Sequence, residues 1–506
     1  MTRQAASVRL SLAGIALAGI TSGCSGESAD QAPKPDERCE MPRDLASLPA
    51  PSLVYSHPSL AIDYFSPRAA DLDADGELEI VATGGSESPP HGEVVALDGP
   101  SGEMLWRVEA EQQLYSSGVF VDVTGDGVKD VFVGGRNQTF FGVDGASGAR
   151  LWTFVDPRPL PEYYLYNFYT AVPIDDLTGD GVQELLVSNG GSDAINEPGA
   201  PRPPGHLVVL DARTGELVAV ASSPDHEEMY MSPLLVPDAG TSSPSILFGT
   251  GGETRHGGLW RTTLDDVLAG DIGTAKRLVD VVGKGVIAPP ALGDLDGDER
   301  LDIIVATFDG RLIALSGAND ETLWELVFDA AETFSTPALG YFDDDDVPDV
   351  FAVFLHGVFP DYDSVERVVV SGRDGGVLWR GQAGTFTMAG DVALDLDGDD
   401  RDEVVFSSND WNAEPGTENT LHLIDTVSSN ERPWGMPLGS PSSSSPWVGD
   451  LDADGCVDLV VATHTPPAET NEAAIERFRV AAPVPARISW GGYLGTRFDS
   501  ILQRRP

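Results

Sequence analysis

The chain has 506 residues, with 31 Lys and Arg against 81 Asp and Glu, a formal charge of −50. So acidic a surface argues against nucleic acid, whose phosphates need a basic footprint, and against docking of the folded part on anionic lipid. Hydrophobic residues at 41% exclude global disorder, and 56 Gly with 37 Pro fit many short strands joined by tight turns.

Arg3 and Arg9 precede a short apolar run, Leu10 to Ile20, and small residues follow, which is the layout of an export signal. The run is too short for a permanent membrane helix. Thr21-Ser22-Gly23-Cys24 resembles a bacterial lipobox, which implies a lipidated Cys24; an ordinary cleaved signal peptide is the alternative. Residues 1–24 are therefore expected to be a signal peptide. Residues 25–50, rich in Ser, Ala, Pro, Asp and Glu, are expected to be a flexible tether, and 51–506 the folded body. The expected location is the outer membrane or cell surface through a lipid anchor, or the periplasm or exterior without one.

From about residue 60 to 465 the chain repeats itself. An Asp-rich nonapeptide followed by a hydrophobic run carries acidic or hydroxyl side chains at positions 1, 3, 5 and 9. The copies are Asp71, Asp73, Asp75, Glu79; Asp122, Thr124, Asp126, Asp130; Asp176, Thr178, Asp180, Glu184; Asp294, Asp296, Asp298, Asp302; Asp395, Asp397, Asp399, Glu403; and Asp450, Asp452, Asp454, Asp458. A weaker copy has Tyr341 at position 1 and keeps Asp343, Asp345 and Asp349, while around Asp238 the acidic pattern is lost and only the run Ile246–Gly252 survives. At a fixed phase behind each nonapeptide lies a second unit, such as Ala96-Leu-Asp98-Gly-Pro-Ser101-Gly102 leading to Trp106. It returns at Asp144 to Trp152, Asp211 to Gly215, Ser316 to Trp324 and Ser371 to Trp379. These read as strand, tight turn, strand, the Gly supplying positive φ.

Each repeat is thus four short strands. Four-stranded units at this spacing predict an all-β propeller of antiparallel blades, eight of them, with seven the alternative. The segment Pro51–Pro58 resembles the end of a unit and is expected to complete the last blade. Cys39 lies just ahead of it and Cys456 in the last acidic loop, so a Cys39–Cys456 disulfide would staple the ring where its ends meet, with two free thiols as the alternative.

The acidic units resemble the FG-GAP repeats of integrin α-subunit propellers and their bacterial relatives. The units ending in Trp resemble the docking motifs of quinoprotein dehydrogenase propellers. The closing Ile488-Ser-Trp490-Gly-Gly-Tyr493 is similar to the tail of bacterial proteins that combine both. The first resemblance implies structural calcium at one face of the ring. The donor chemistry agrees, because a hard cation wants six to eight oxygens and these loops offer almost no His or Cys for zinc. About seven ions are expected, with the loop at Asp343 the loosest. Glu299, Asp346 and Asp400 stand where Gly eases the turn, a strain if those residues are left-handed.

The adjacent Cys pair of quinoprotein dehydrogenases is missing, and no haem-attachment motif or nucleophile elbow is visible. The first expectation is a non-catalytic binding or adhesion scaffold for a protein or glycan; the alternatives are a polysaccharide-active, lyase-like enzyme and, third, a quinone-dependent dehydrogenase. A monomer is expected. The face away from the acidic loops should bind the ligand, with Tyr163, Tyr164, Tyr166, Tyr169, His226, Tyr230, His256, His356 and Trp411 as candidates. Half of the aromatics could instead plug the channel or pack between blades, and the histidines could be merely exposed.

Overall fold

The computed structural model describes residues 39–59, 66–114, 116–158, 165–191, 202–237, 244–409, 420–426, 430–435, 444–464, 473–485 and 487–505. Eight antiparallel sheets follow one another along it. Blade 1 comprises Arg68–Ala70, Glu79–Ser86, His91–Leu97 and Met104–Ala110, and blade 2 Val119–Val121, Asp130–Gly134, Phe140–Val143 and Arg150–Thr153. Blade 3 has a first strand in two pieces, Asn167–Phe168 and Val172–Ile174, then Glu184–Gly190, His206–Leu210 and Leu217–Ser222. Blade 4 is Leu234–Val236, Ser245–Gly252, Arg255–Thr263 and Lys276–Val281, with a one-turn helix, Leu264–Leu268, before its last strand. Blade 5 is Ala291–Gly293, Asp302–Ala306, Arg311–Leu315 and Thr322–Val327. Blade 6 again splits its first strand, Ala331–Glu332 and Ala338–Gly340, before Asp349–Val358, Asp361–Val370 and Val377–Gln382. Blade 7 is Val392–Leu394, Glu403–Ser408, Thr420–Asp425 and Asn430–Gly435. Blade 8 is Trp447–Gly449, Cys456–His464 and Ala473–Pro483, and its fourth strand is Ser52–Ser59 from the other end of the chain.

Burial follows strand position. Second strands are covered on both faces by neighbouring blades and read as unbroken apolar runs, such as Ile80-Val81-Ala82 and Ile303-Ile304-Val305. Fourth strands lie at the rim and alternate, so that Met104 and Leu105 are exposed while Trp106 is buried. Neighbouring blades are keyed by the aromatic of one fourth strand docking on the turn of the next blade. Trp106 Nε1 donates to Gly145 O at 2.7 Å, Trp152 Nε1 to Ala212 O at 2.8 Å, and Trp324 Nε1 to Gly372 O at 2.7 Å. At the junction of blades 8 and 1, Tyr55 takes the tryptophan's place, its hydroxyl donating to Gly99 O at 3.0 Å.

The ring's seam is reinforced further. Cys39 and Cys456 form a disulfide, with Cα atoms 5.5 Å apart. Packing begins by Cys39, ahead of the expected boundary at 51: Leu45 and Leu48 enter the core between blades 7 and 8, and Arg432 Nη2 holds both of their carbonyls.

The sequence did not foretell the course of residues 487–505. Ile488–Trp490 adds a fifth strand to the inner edge of blade 7. The segment then passes along the first strands of the ring. Val448 N of blade 8 donates to Gly491 O, Tyr493 meets Ser232 of blade 4, and Phe498 packs on Phe120 of blade 2. Ser500 and Leu502 pair with Leu292 of blade 5, and Arg505 N reaches Tyr341 of blade 6. The first strands therefore surround a stretch of the protein's own chain.

Candidate functional site

Each blade is an antiparallel meander, so the connection between strands one and two leaves at the same end as that between three and four. The acidic nonapeptides and the Asp-x-x-Ser/Thr-Gly turns consequently share one face. Each nonapeptide winds around its own carboxylates. At position 1, Asp71 accepts the backbone N–H of Ala74 and Gly76, Asp122 those of Gly125 and Gly127, Asp294 those of Gly297 and Glu299, and Asp395 those of Gly398 and Asp400. This winding requires left-handed residues at positions 4 and 6; Ala74, Glu299 and Asp400 adopt φ of 63°, 68° and 69° without being glycine. Asp346 is not left-handed, so the expected strain does not arise there. The position-9 carboxylate reaches back to the N–H of position 2, as Glu79 does to Leu72 and Asp302 to Leu295.

In four loops the carboxylates converge: Asp71, Asp73 and Glu79; Asp294, Asp296 and Asp302; Asp395, Asp397 and Asp399; and Asp450, Asp452 and Asp458. Within each group one oxygen per residue lies within 4.8 Å of the others, an arrangement that could hold a metal ion. These are the four loops with acidic side chains at all four positions. Asp75, Asp298, Glu403 and Asp454 stand outside the groups, and, among the described residues, the loops at 122, 176 and 341 form none. In the loop at 341 the position-1 carboxylate is replaced by buried Tyr341, over which the guanidinium groups of Arg505 and Arg487 lie at 4.2 and 4.8 Å.

The crowding has an electrostatic signature. Burial first, then repulsion from Asp73, Asp75 and Asp71, raises the Glu79 carboxyl to about 7. Burial and then Asp296 and Asp294 raise Asp302 to about 6, against hydrogen bonds from Gly317 and Leu295. Glu403 is pushed well above the carboxylate range by burial, then by Asp397, Asp395 and Asp399. An oxygen-only donor set that repels itself this way suits a hard divalent cation.

The eighth loop differs, because two arginines of the neighbouring strand Ala473–Pro483 point into it. Arg477, 2% exposed in its side chain, lies 2.5 Å from Asp452 and 2.9 Å from Asp458, and Arg479 pairs with Asp454. Arg477 also donates to Gly99 O and Pro100 O of blade 1, so it ties the loop to the seam.

On the opposite face the ligand candidates separate. Tyr163, Tyr164 and Trp411 lie outside the described residues. Tyr169 and Tyr230 come together edge to face, ring centroids 6.0 Å apart. Tyr166 is half-buried, and its backbone N–H donates to Asn189. The histidines do not converge. His226 is exposed, His256 sits 3.3 Å from Asp280, and His356 sits 2.6 Å from Glu366 on another blade.

The structure also brings forward carboxylates that sequence reasoning missed. Glu228, 2% exposed, is hydrogen-bonded to Tyr230. Glu253, at the tip of the second hairpin of blade 4, is raised by burial and then by Glu228 and, more weakly, Glu332. Glu332 accepts Tyr362 Oη at 2.6 Å, Lys284 Nζ at 2.6 Å and Phe359 N at 3.0 Å. The only signal available was their place in face-forming loops, which is weak in a chain with 81 acidic residues.

Comparison with known proteins bears on the fold. No curated protein matches the chain. Among solved structures, a europium-containing methanol dehydrogenase superposes with a TM-score of 0.57 at 11% identity, covering 85% of this chain and 93% of that one. The quinohemoprotein alcohol dehydrogenase of Comamonas testosteroni gives 0.54 at 13%, covering 87% and 78%. The quinohemoprotein alcohol dehydrogenase ADHIIG of Pseudomonas putida HK5 gives 0.54 at 12%, covering 86% and 77%. At such identities the likeness speaks for the propeller alone. The family model of the FAM234A/B beta-propeller matches residues 82–389, well over half of the chain. The protein belongs to the FAM234A/B beta-propeller family.

Proposed function

We propose that this protein is an exported, calcium-stabilised propeller that binds a protein or glycan on the face opposite its acidic loops. The acidic nonapeptides are read here as FG-GAP-like calcium loops. The observation that carries the calcium assignment is the grouping of three carboxylates in each of four loops whose backbone N–H groups are already engaged by those same side chains. Arginines already pair with some of these oxygens, Arg477 with Asp452 and Asp458, Arg504 with Asp294 and Arg401 with Asp399; for the rest Ca²⁺ is the fitting cation, because it accepts the irregular geometry that Mg²⁺ resists. The loops at 122 and 176, with Thr124 and Thr178, would bind more weakly, and the loop at 341 not at all. A lipid at Cys24 would tether the ring to a membrane.

Tyr169 and Tyr230 form the centre of the proposed ligand surface, with Glu228 hydrogen-bonded to the second. Flat aromatic rings beside a carboxylate suit sugar stacking or a protein contact. A second reading, turnover of a polysaccharide on this face, draws on Glu228 and Glu253, two carboxylates raised by burial and, at Glu253, then by Glu228, whose affinity for protons would suit a general acid.

The test has two arms. Calorimetric titration of chelator-stripped protein with Ca²⁺ should give at least three high-affinity sites and a rise in melting temperature; a flat titration with unchanged melting refutes the calcium assignment. Glycan and surface-protein arrays probed with the wild type and with Tyr169→Ala/Tyr230→Ala should show a ligand that the double variant loses. Equal binding by both refutes the assigned face. Bond cleavage that Glu228→Gln abolishes while binding persists would favour the enzyme.

A further inference from the structure

Arg68 opens the first strand of blade 1 and is 3% exposed. Its Nη1 donates to Gly118 O of blade 2 at 3.0 Å. Its Nε and Nη2 are buried and find no hydrogen-bond partner among the described residues. Among the described residues no carboxylate acts on it; burial lowers its pKa to about 10, and Tyr493 opposes this. In a chain with 81 acidic residues, a fully buried guanidinium without a counter-charge is anomalous.

The surroundings explain where a partner would sit. The ring of Phe498 covers the flat face of the guanidinium at 4.2 Å, and Tyr493 stands at 5.9 Å. Both belong to the segment enclosed by the first strands. Tyr493 Oη is held by Ser232 at 3.0 Å, so it is not directed at Arg68 as a partner. Small hydroxyl side chains, Ser66, Ser117 and Thr170, mark the entries to the first strands of blades 1 to 3 and are buried. Nε and Nη2 share one edge of the guanidinium, the edge that accepts two oxygens of a carboxylate side by side.

We propose that Arg68 holds a small carboxylate inside the ring, bound through Nε and Nη2 and sealed in by Phe498 and Tyr493. The ligand is of formate or acetate size, because the protein's own segment occupies the axis. Its role is to supply the missing negative charge where that segment meets blades 1 and 2. It is a site distinct from the acidic loops and from the tyrosine face, and it does not rest on the function proposed for either.

The experiment follows melting temperature at constant ionic strength as formate or acetate replaces gluconate, which is too large to enter, with isothermal titration of acetate alongside. The wild type should show a saturable rise of several degrees and a stoichiometry near one. In Arg68→Met the rise should vanish, and melting in gluconate should be no lower than in the wild type, because the change removes an uncompensated charge. Arg68→Lys keeps the charge but loses the two-nitrogen edge, so it should also lose the saturable response, and it serves if the Met variant does not fold. A wild type indifferent to acetate, or a variant that keeps the wild-type response, overturns the site.

Discussion

The docking of Trp152 on Gly215 allows a quantitative test of how the blades are keyed. Gly215 has φ +73°, and a Cβ built on it would lie 2.4 and 2.6 Å from Cε3 and Cδ2 of Trp152. Gly215→Ala therefore carries two costs: about 1–2 kcal/mol for placing an L-residue in the left-handed region, and about 1–3 kcal/mol for forcing a methyl into a packed ring. Trp152→Ala removes the half-buried ring and orphans Ala212 O, at about 3 kcal/mol. In the double variant the ring atoms that the methyl would strike are gone, so only the left-handed cost of the alanine remains. The pair should be less destabilised than the sum of the single changes by about 1–3 kcal/mol. Urea unfolding followed by near-UV circular dichroism, with midpoint and slope fitted for all four proteins, gives this coupling. Costs that add to within about 0.5 kcal/mol would refute the docking.

Three further outcomes follow from the same geometry. Cys39→Ser should lower stability by about 2–5 kcal/mol, read as a lower urea midpoint, and limited proteolysis should then cut first around strand Ser52–Ser59, which the bond anchors. Arg477→Met should cost about 3–5 kcal/mol by leaving buried Asp458 without its cation, and millimolar Ca²⁺ should restore part of the loss; no recovery would mean that the loop cannot exchange one cation for the other. His206 is held down to about 4 by burial and then by Arg158, so its folded pKa lies below the ordinary value near 6.5. The unfolded chain takes up the proton first, and this contribution to stability is present above pH 6.5 and is lost as pH falls toward 4; the urea midpoint of His206→Gln should fall less over that window than that of the wild type.

Eight blades were readable because two independent marks recur at a fixed phase. The acidic loop must follow every first strand, and the Gly-bearing turn must sit under the preceding blade's aromatic. Even blade 4, with its acidic pattern gone, kept the apolar second strand Ile246-Leu247-Phe248, which burial on two faces demands. The closing strand was readable because Pro51–Pro58 resembles the end of a unit. The course of residues 487–505 was not, since pairings such as Leu394 with Ile488 and Leu292 with Ile501 span long sequence distances and have no period. Leu45 and Leu48 were hidden for a related reason: two isolated apolar residues in a polar segment look like tether, though both pack between blades. Nothing local distinguishes Arg68 or Glu228 from surface charges, because what sets them apart is burial supplied by other blades.

Repetition in the sequence also concealed a difference in chemistry. The loops at 71 and 450 carry the same acidic spacing, yet a guanidinium lies within 2.9 Å of Asp458 at position 9 of the second, whereas among the described residues Glu79 in the first accepts the Leu72 N–H and faces repelling neighbours. The reason lies one strand away. Arg477 pairs in register with Val460, directly across from the strand that leaves the acidic loop, and it reaches on to Gly99 and Pro100 of blade 1. A bound metal would neutralise the loop but could not bridge to the next blade, whereas an arginine does both. Seven blades are built from one continuous run of chain; in the eighth, strands Ala473–Pro483 and Ser52–Ser59 come from opposite ends, and there a side-chain cation on the third strand that also grips the turn of blade 1 contributes something a free ion cannot. The seam thus concentrates a disulfide, an exchanged strand, Tyr55 and Arg477 at the one place where the ring would otherwise open.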